Sequence, residues 1–200
     1  IKNMLSLKDS LAVLKKTNAL LEGHFVLSSG LHSSKYIQCA KLLSFPSLAD
    51  KFCKSLSSKI KSNKKKIDLI LSPAMGGIII GYEIGKLLKK ETIFCERVNG
   101  KFKLRRGFSI KKNAKVLIVE DVITTGKSSL ECFKLVKRSK AKLVGFACLI
   151  DRSNPHSLKI KNHNIISQIK LDVPTFRKQK IPDYLKKIKI TKPGSRFIKW

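Results

Sequence analysis

Short apolar runs alternate with segments of helical periodicity through the middle of this chain. Three apolar runs are candidate strands, at residues 67–71, 116–119 and 143–150, and the strand-like stretch 92–96 adds a fourth. The segments with apolar residues at helical spacing are 48–60, 78–89 and 128–137. Short runs of this kind are typical of strands buried on both faces, and their alternation with helices favours a parallel sheet. The pattern therefore predicts an α/β fold, a parallel sheet flanked by helices, with ligands bound at the carboxyl ends of its strands.

Two terminal segments lie outside this alternation. Residues 1–40 and about 155–200 are predicted to form a small hood on a single domain that spans residues 1–200, since this length suits one domain. Pro174, Pro182 and Pro193 make the C-terminal segment irregular, with one short helix near residues 182–187. Residues 6–16 form an amphipathic pattern, so no signal peptide is expected.

Composition narrows the class of protein. Hydrophobic residues make up 42% of the chain and charged residues 28%, the balance of a globular protein rather than a disordered one. The longest apolar candidate, residues 76–88, is interrupted by Glu83 and Lys86 and is too short to cross a membrane, so no membrane partner is predicted. The five cysteines are scattered and lack metal-binding spacing, which favours reduced thiols and a cytoplasmic location.

The net charge of +30 has two possible explanations. A nucleic-acid-binding protein gains from a dense basic face, because neutralised phosphates release counterions. Here 36 of the 43 basic residues are lysines, and they are spread along the whole chain. An excess of lysine and isoleucine is also what a nucleotide bias toward A and T produces. We favour that bias over a specific nucleic-acid partner, although the charge should still attract anionic substrates.

Residues 116–129 contain the most informative motif. An apolar strand leads into two adjacent carboxylates, Glu120 and Asp121, and then into a small-residue turn, 124–128, that opens a helix. Carboxylates can accept hydrogen bonds from the vicinal hydroxyls of a ribose, while free N–H groups at a helix start can hold a phosphate. The spacing of glycine, lysine and serine does not fit a Walker A loop. An ordinary strand-to-helix turn capped by Thr125 or Ser128 is the alternative.

This segment resembles the phosphoribosyl-diphosphate (PRPP) motif of type I phosphoribosyltransferases, in which two acids precede a Thr-Thr-Gly phosphate loop. The resemblance implies catalytic roles for Glu120 and Asp121. The PRPP-binding residues that it implies are Arg97, Glu120, Asp121, Val122, Ile123, Thr124, Thr125, Gly126, Lys127 and Ser128. The implied pyrophosphate loop consists of Ala74, Met75, Gly76 and Gly77, where small residues let the backbone approach an anion. A plain strand-to-helix turn is the alternative for this loop.

Residues 96–107 alternate basic and apolar side chains around an Asn99-Gly100 turn, which predicts a hairpin with its basic residues on one face. The segment resembles the mobile basic loop that closes over the diphosphate in this family, often from the neighbouring subunit. Arg97 is thereby implied as a PRPP ligand, and Lys101 and Lys103 as catalytic residues. A solvated surface hairpin is the alternative.

Three further segments narrow the choice of base that would accept the phosphoribosyl group. Residues 23–36 resemble the hood segment of orotate phosphoribosyltransferases, Asp151-Arg152 ends a core strand as in those enzymes, and residues 192–196 resemble the tail of one branch of them. The orotate-binding residues implied by this resemblance are Phe25, Ser29, Gly30, Thr124 and Arg152. An arginine fork suits the orotate carboxylate because it can form two parallel hydrogen bonds. An ion pair between Asp151 and Arg152 is the alternative.

His24 and His32 are further candidates for chemistry in the hood segment. Neither has a carboxylate nearby in the sequence that could orient its ring. We therefore expect surface or turn positions for both histidines.

The resemblance as a whole implies transfer of the 5-phosphoribosyl group from PRPP to orotate, giving orotidine 5′-monophosphate and pyrophosphate in pyrimidine biosynthesis. It also implies Mg²⁺, held mainly through PRPP with no certain protein ligand, and a homodimer. Two alternatives stay open: a phosphoribosyltransferase for another base, and a PRPP-sensing regulator that binds nucleic acid.

Overall fold

The computed structural model of the protein describes residues 4–27, 30–156, 158–160 and 163–191. In chain order its elements are α1 (Leu7–Lys16), β1 (Leu20–Val26), β2 (His32–Ile37), α2 (Cys39–Leu43), α3 (Pro46–Ser62), β3 (Leu69–Pro73), α4 (Gly76–Leu88), β4 (Glu91–Val98), β5 (Lys101–Leu104), β6 (Lys115–Ile123), α5 (Lys127–Arg138), β7 (Lys142–Asp151), β8 (Ile165–Lys170), β9 (Thr175–Phe176), α6 (Asp183–Lys186) and β10 (Ile190–Thr191). A short 3-10 turn at Lys178–Lys180 precedes α6.

A six-stranded sheet with the order β5-β4-β3-β6-β7-β8 forms the centre of the molecule. Its strands pair in parallel except for β5, which pairs antiparallel with β4. Side chains alternate across a strand: Ile70 and Leu117 join a core with α3 and α4, whereas Leu71 and Ile118 join a second core with α5. The predicted parallel sheet with helices on its faces is confirmed.

The strands end later than the apolar pattern predicts. β3 continues to Pro73 and β6 to Ile123, so Glu120 and Asp121 lie within β6 rather than after it. The pairing with β7 explains the difference, because it extends as far as Ile123 opposite Asp151.

A second sheet joins the two ends of the chain. Its order is β10-β1-β2-β9, with two strands from each terminal segment. The predicted hood is therefore present as one sheet that strands from both terminal segments share. That residues 1–200 form a single domain stays a prediction.

The expected surface positions of His24 and His32 are wrong. Their side chains are buried between the hood strands, with His24 Nε2 2.7 Å from His32 Nδ1 and His24 Nδ1 3.2 Å from the carbonyl oxygen of Ile188. The two imidazole rings form a hydrogen bond with each other instead of with a carboxylate. Because this contact joins two strands, the local sequence does not reveal it.

The described helices include none with the length and apolarity needed to cross a membrane. All five cysteines are buried free thiols.

Candidate active site

The carboxyl edge of the sheet between β3 and β6 is its topological switch point, because β4 extends the sheet on one side of β3 and β6 extends it on the other. Open α/β sheets bind ligands in the crevice at such a point. α4 and α5 begin there, and neither has a side chain that caps its first N–H groups. An uncapped helix start offers unpaired N–H donors and the positive end of the helix dipole. The crevice is therefore suited to two anionic groups.

Asp121 lies against the start of α4. A Cβ atom on Gly76 would come within 2.6 Å of Asp121 Oδ2, so a side chain there would displace the carboxylate. Asp121 Oδ1 accepts a hydrogen bond of 2.9 Å from the backbone N–H of Val122. Burial raises the pKa of Asp121, and hydrogen bonds from the backbone N–H groups of Val122 and Asp121 oppose that effect. The predicted pyrophosphate loop and the second acid are thus in direct contact; the Ala74–Met75 peptide bond of that loop is cis.

Glu120 points to the opposite face of β6, because successive residues of a strand alternate. It is 7% exposed and accepts a hydrogen bond from Ser129 Oγ on α5. Glu120 is therefore buried under α5 rather than exposed at the edge of the sheet. Burial raises the pKa of Glu120 to about 7; the Ser129 hydrogen bond and the Arg97 charge lower it, whereas the charges of Asp121 and Glu131 raise it.

The turn 124–128 surrounds a small cavity of about 70 Å³, which Glu120, Val122 and Ile123 also line. Thr124, Thr125 and Lys127 are exposed there, and Ser128 is half-buried. The side chain of Ile123 is 1% exposed and belongs to the core, so it can reach a ligand only through its backbone. The turn thus forms a small polar cradle, to which Ile123, just before it, contributes backbone rather than a side chain.

Gly126 gives the cradle its shape. Its φ of 68° lies in the left-handed region, and a Cβ atom there would lie 2.8 Å from Ile160 Cγ1. The neighbouring carbonyl of Thr125 accepts a 2.7 Å hydrogen bond from the backbone N–H of Lys159. Residues 158–160 therefore support the turn from below.

Arg152 follows β7, and its half-buried guanidinium lies near Tyr36 and Cys39. Burial lowers the pKa of Arg152, while the neighbouring Cys39 and Tyr36 raise it. No salt bridge to Arg152 occurs among the described residues, and its buried Nε has no hydrogen-bond partner there. The carboxylate of Asp151 instead accepts a 2.8 Å hydrogen bond from the backbone N–H of Ser153, so the alternative ion pair is not formed.

The hood brings Tyr36 near Arg152. The rings of Phe25 and Tyr36 have centroids 5.8 Å apart. Cys39 Sγ donates to the carbonyl oxygen of Asp121 at 3.7 Å, which connects this region to the acid pair. Gly30 is exposed with a φ of 80°. Ser29 and the tail at 192–196 lie outside the described residues.

The basic hairpin is confirmed as β4 and β5, joined by Asn99 and Gly100 with φ values of 50° and 74°. Directly opposed residues share a face, and Arg97 lies opposite Phe102 whereas Val98 lies opposite Lys101. Lys101 and Lys103 are exposed on one face, and Arg97 lies on the other. The expectation of a single basic face is therefore wrong for Arg97.

A resident metal centre built from protein side chains alone is not found among the described residues, since no group of three or more His, Cys, Asp or Glu side chains converges there. Mg²⁺ usually binds one or two carboxylates together with substrate phosphates and waters. The half-buried Asp121 carboxylate beside the α4 start fits that donor set.

Four residues of this region had not been predicted as site residues. They are Tyr36, Cys39, Ser129 and Glu131. Ser129 and Glu131 lie at the start of α5, directly after the turn 124–128. This position could have identified them as candidate site residues from the sequence. Tyr36 and Cys39 reach the site only through the packing of the hood.

A helix-covered parallel sheet with an acid pair beside two uncapped helix starts offers hydrogen-bond acceptors for hydroxyl groups and two places for anionic groups. The family model of the phosphoribosyl transferase domain matches residues 46–179. The orotate phosphoribosyltransferase of Erythrobacter litoralis (strain HTCC2594) is 44% identical over 191 residues, which cover 94% of this chain and 97% of that protein. The chain belongs to the phosphoribosyltransferase family and, within it, to the orotate phosphoribosyltransferases.

Solved structures agree with this assignment. The crystal structure of orotate phosphoribosyltransferase from Aeropyrum pernix has a TM-score of 0.69 and 26% identity, over 80% of this chain and 92% of that chain. Leishmania donovani UMP synthase has a TM-score of 0.66 and 19% identity, over 84% of this chain and 36% of that chain, and shows the shared fold.

Proposed function

We propose that this protein transfers the 5-phosphoribosyl group of PRPP to orotate, giving orotidine 5′-monophosphate and pyrophosphate in pyrimidine biosynthesis. The observation that supports orotate as the base is the half-buried guanidinium of Arg152, whose buried Nε lacks a hydrogen-bond partner among the described residues. A buried donor of this kind favours a ligand carboxylate, since charge-assisted bidentate bonds are strong. A base without a carboxylate would leave this arginine unused.

The proposed binding mode places PRPP across the switch point. The 5′-phosphate lies in the 124–128 turn, and the diphosphate lies at the start of α4 beside Gly76 and Gly77. Asp121 accepts hydrogen bonds from the ribose hydroxyls, and Glu120 approaches them from the cavity that it shares with the turn. Positive charge develops on the ribose ring as the bond to the diphosphate breaks, and these carboxylates stabilise that charge.

Orotate lies under the hood in this proposal. Arg152 holds its carboxylate, Phe25 and the backbone at Gly30 cover the ring, and Thr124 contacts it from the turn. Lys101 and Lys103 are exposed on the hairpin and neutralise the leaving diphosphate when the hairpin closes, which also excludes water. Mg²⁺, when bound, supplies further neutralisation of the diphosphate, with Asp121 as the nearest carboxylate.

We also propose that the protein works as a homodimer in the cytoplasm. Met75 of the proposed pyrophosphate loop and Ile79 and Tyr82 of α4 are 83%, 53% and 65% exposed and follow one another at helical spacing. An apolar stripe of this kind is typical of a surface that a second copy covers. The cytoplasmic location rests on the five free thiols, which a reducing compartment preserves.

Arg152→Ala tests the proposed base. We expect the KM for orotate to rise about 100-fold, because a charge-assisted bidentate contact is lost. The KM for PRPP should change by less than about threefold, since PRPP binds on the other side of the acid pair. The measurement is orotate-dependent consumption of PRPP by wild type and variant, with adenine and uracil as alternative bases. Equal effects on the two KM values, or turnover with another base, would contradict the proposal.

A further inference from the structure

The hairpin makes a contact that the transfer reaction does not by itself explain. Arg97 Nη1 lies 2.9 Å from Glu131 Oε2, and Nη2 lies 3.4 Å from Oε1. Nη1 also donates to the carbonyl oxygen of Gly100 at 2.8 Å, and Cζ lies 4.1 Å from the centre of the Phe102 ring. The guanidinium therefore connects the tip of the β4–β5 hairpin to helix α5.

This contact lies at the PRPP site rather than on a distant surface. Glu131 follows Lys127, the first residue of α5 after the phosphate turn, by about one helical turn. Arg97 lowers the pKa of Glu120 and Glu131 raises it, so both charges act on the buried acid beside that turn.

Glu131 occupies the same donors that a diphosphate would need. The two Nη atoms of a guanidinium form a planar pair of donors, and the carboxylate of Glu131 accepts hydrogen bonds from both of them here. Glu131 is 22% exposed and Arg97 41% exposed, so water partly screens the pair and a more highly charged anion can replace the carboxylate.

We propose that Glu131 is a positioning residue that holds Arg97, and with it the tip of the hairpin, against α5 until PRPP displaces the carboxylate and takes over the guanidinium. The inference rests on the proposed function, because PRPP is the displacing anion.

Glu131→Gln tests the displacement. The variant keeps the size of the side chain and removes the competing charge, so the Kd for PRPP, measured by calorimetry without orotate, should fall about two- to fivefold. In an Arg97→Gln background the same change should have no effect on the Kd, because the guanidinium for which Glu131 and PRPP compete is absent. A Kd that rises or stays the same, or that falls equally in the Arg97→Gln background, overturns the proposal.

Glu96→Gln is the matched control. Glu96 lies on the same hairpin with 21% exposure and pairs with Arg106 at 2.8 Å, so its removal changes the net charge equally without touching Arg97. We expect no change in the Kd for PRPP. The same gain in affinity as in Glu131→Gln would show a general charge effect and overturn the proposal.

A second measurement does not need PRPP. In the free protein, amide hydrogen exchange of residues 97–104 should be faster in Glu131→Gln than in wild type and unchanged in Glu96→Gln. Equal exchange in wild type and Glu131→Gln overturns the holding role. If wild type binds no PRPP, the proposed function fails, and the exchange rates still decide whether Glu131 holds the hairpin.

Discussion

Glu120 and Asp121 are neighbours in the chain with different surroundings. Glu120 is buried beneath α5 and accepts a hydrogen bond from Ser129, whereas Asp121 lies against Gly76 at the start of α4. The alternation of strand side chains separates them onto two faces of β6. The pair can therefore approach a ligand at the sheet edge from two sides, at the cost of burying a carboxylate.

The pKa of Glu120 predicts a pH-dependent stability. Its ordinary value is 4.5 and burial raises it to about 7, so the folded state binds the proton more tightly than the unfolded state. This contribution is fully present below 4.5 and is lost as the pH rises through about 7. Glu120→Gln cannot ionise, so its free energy of unfolding relative to wild type should increase by about 2 kcal/mol between pH 5 and pH 8. Denaturant titrations at both pH values measure this, and a difference independent of pH would contradict the assignment.

The turn 124–128 shows how a small element depends on residues far away in the chain. Its positive-φ glycine contacts Ile160, and its Thr125 carbonyl accepts from Lys159, both more than thirty residues further along the chain. A strand-to-helix turn of this kind keeps its N–H groups free for an anion because other residues fix its backbone.

Gly126→Ala should destabilise the protein more than Gly100→Ala. Both glycines have positive φ values, 68° and 74°, so alanine costs about 1 kcal/mol of unfolding free energy at either position. At Gly126 the new Cβ atom also meets Ile160 Cγ1 at 2.8 Å, whereas at Gly100 no atom lies within 4 Å. Denaturant unfolding of the two variants compares them directly, and equal losses would show that residues 158–160 do not support the turn.

The whole molecule combines a strongly basic surface with an apolar stripe on α4. A net charge of +30 should keep copies of the chain apart, so association needs a specific apolar contact. In the proposed dimer, Met75, Ile79 and Tyr82 provide that surface.

Ile79→Asp should convert a dimer to a monomer without unfolding it. The residue is 53% exposed, so the added charge is tolerated in the monomer but would be buried without a partner in a dimer. Leu7→Asp on α1, where Leu7 is 55% exposed, is the matched control and should leave the mass unchanged. Light scattering after gel filtration gives the mass of each variant. A monomeric wild type, or loss of the dimer in both variants, would contradict the proposed interface.

The architecture, and the sheet edge at which the candidate site residues lie, could be predicted from the sequence. Apolar runs at 67–71 and 116–119 predict buried strands, and the Asn99-Gly100 pair predicts a tight hairpin, because these signals depend on residues close together in the chain. The acid pair and the turn after it could be identified for the same reason, because they are adjacent in the sequence. Orotate as the base came only from resemblance, which the similarity to orotate phosphoribosyltransferases supports.

By itself, therefore, the sequence determined which elements form and in what order they bring polar residues to the sheet edge. The tertiary structure alone decided that Glu120 is buried, that Arg97 turns toward Glu131, that His24 meets His32, and that Arg152 lies beneath the hood. Each of these features depends on which face of a strand a residue occupies, or on contacts between residues far apart in the chain. Periodicity is a local property, whereas burial and pairing are set by which surfaces meet when the chain folds.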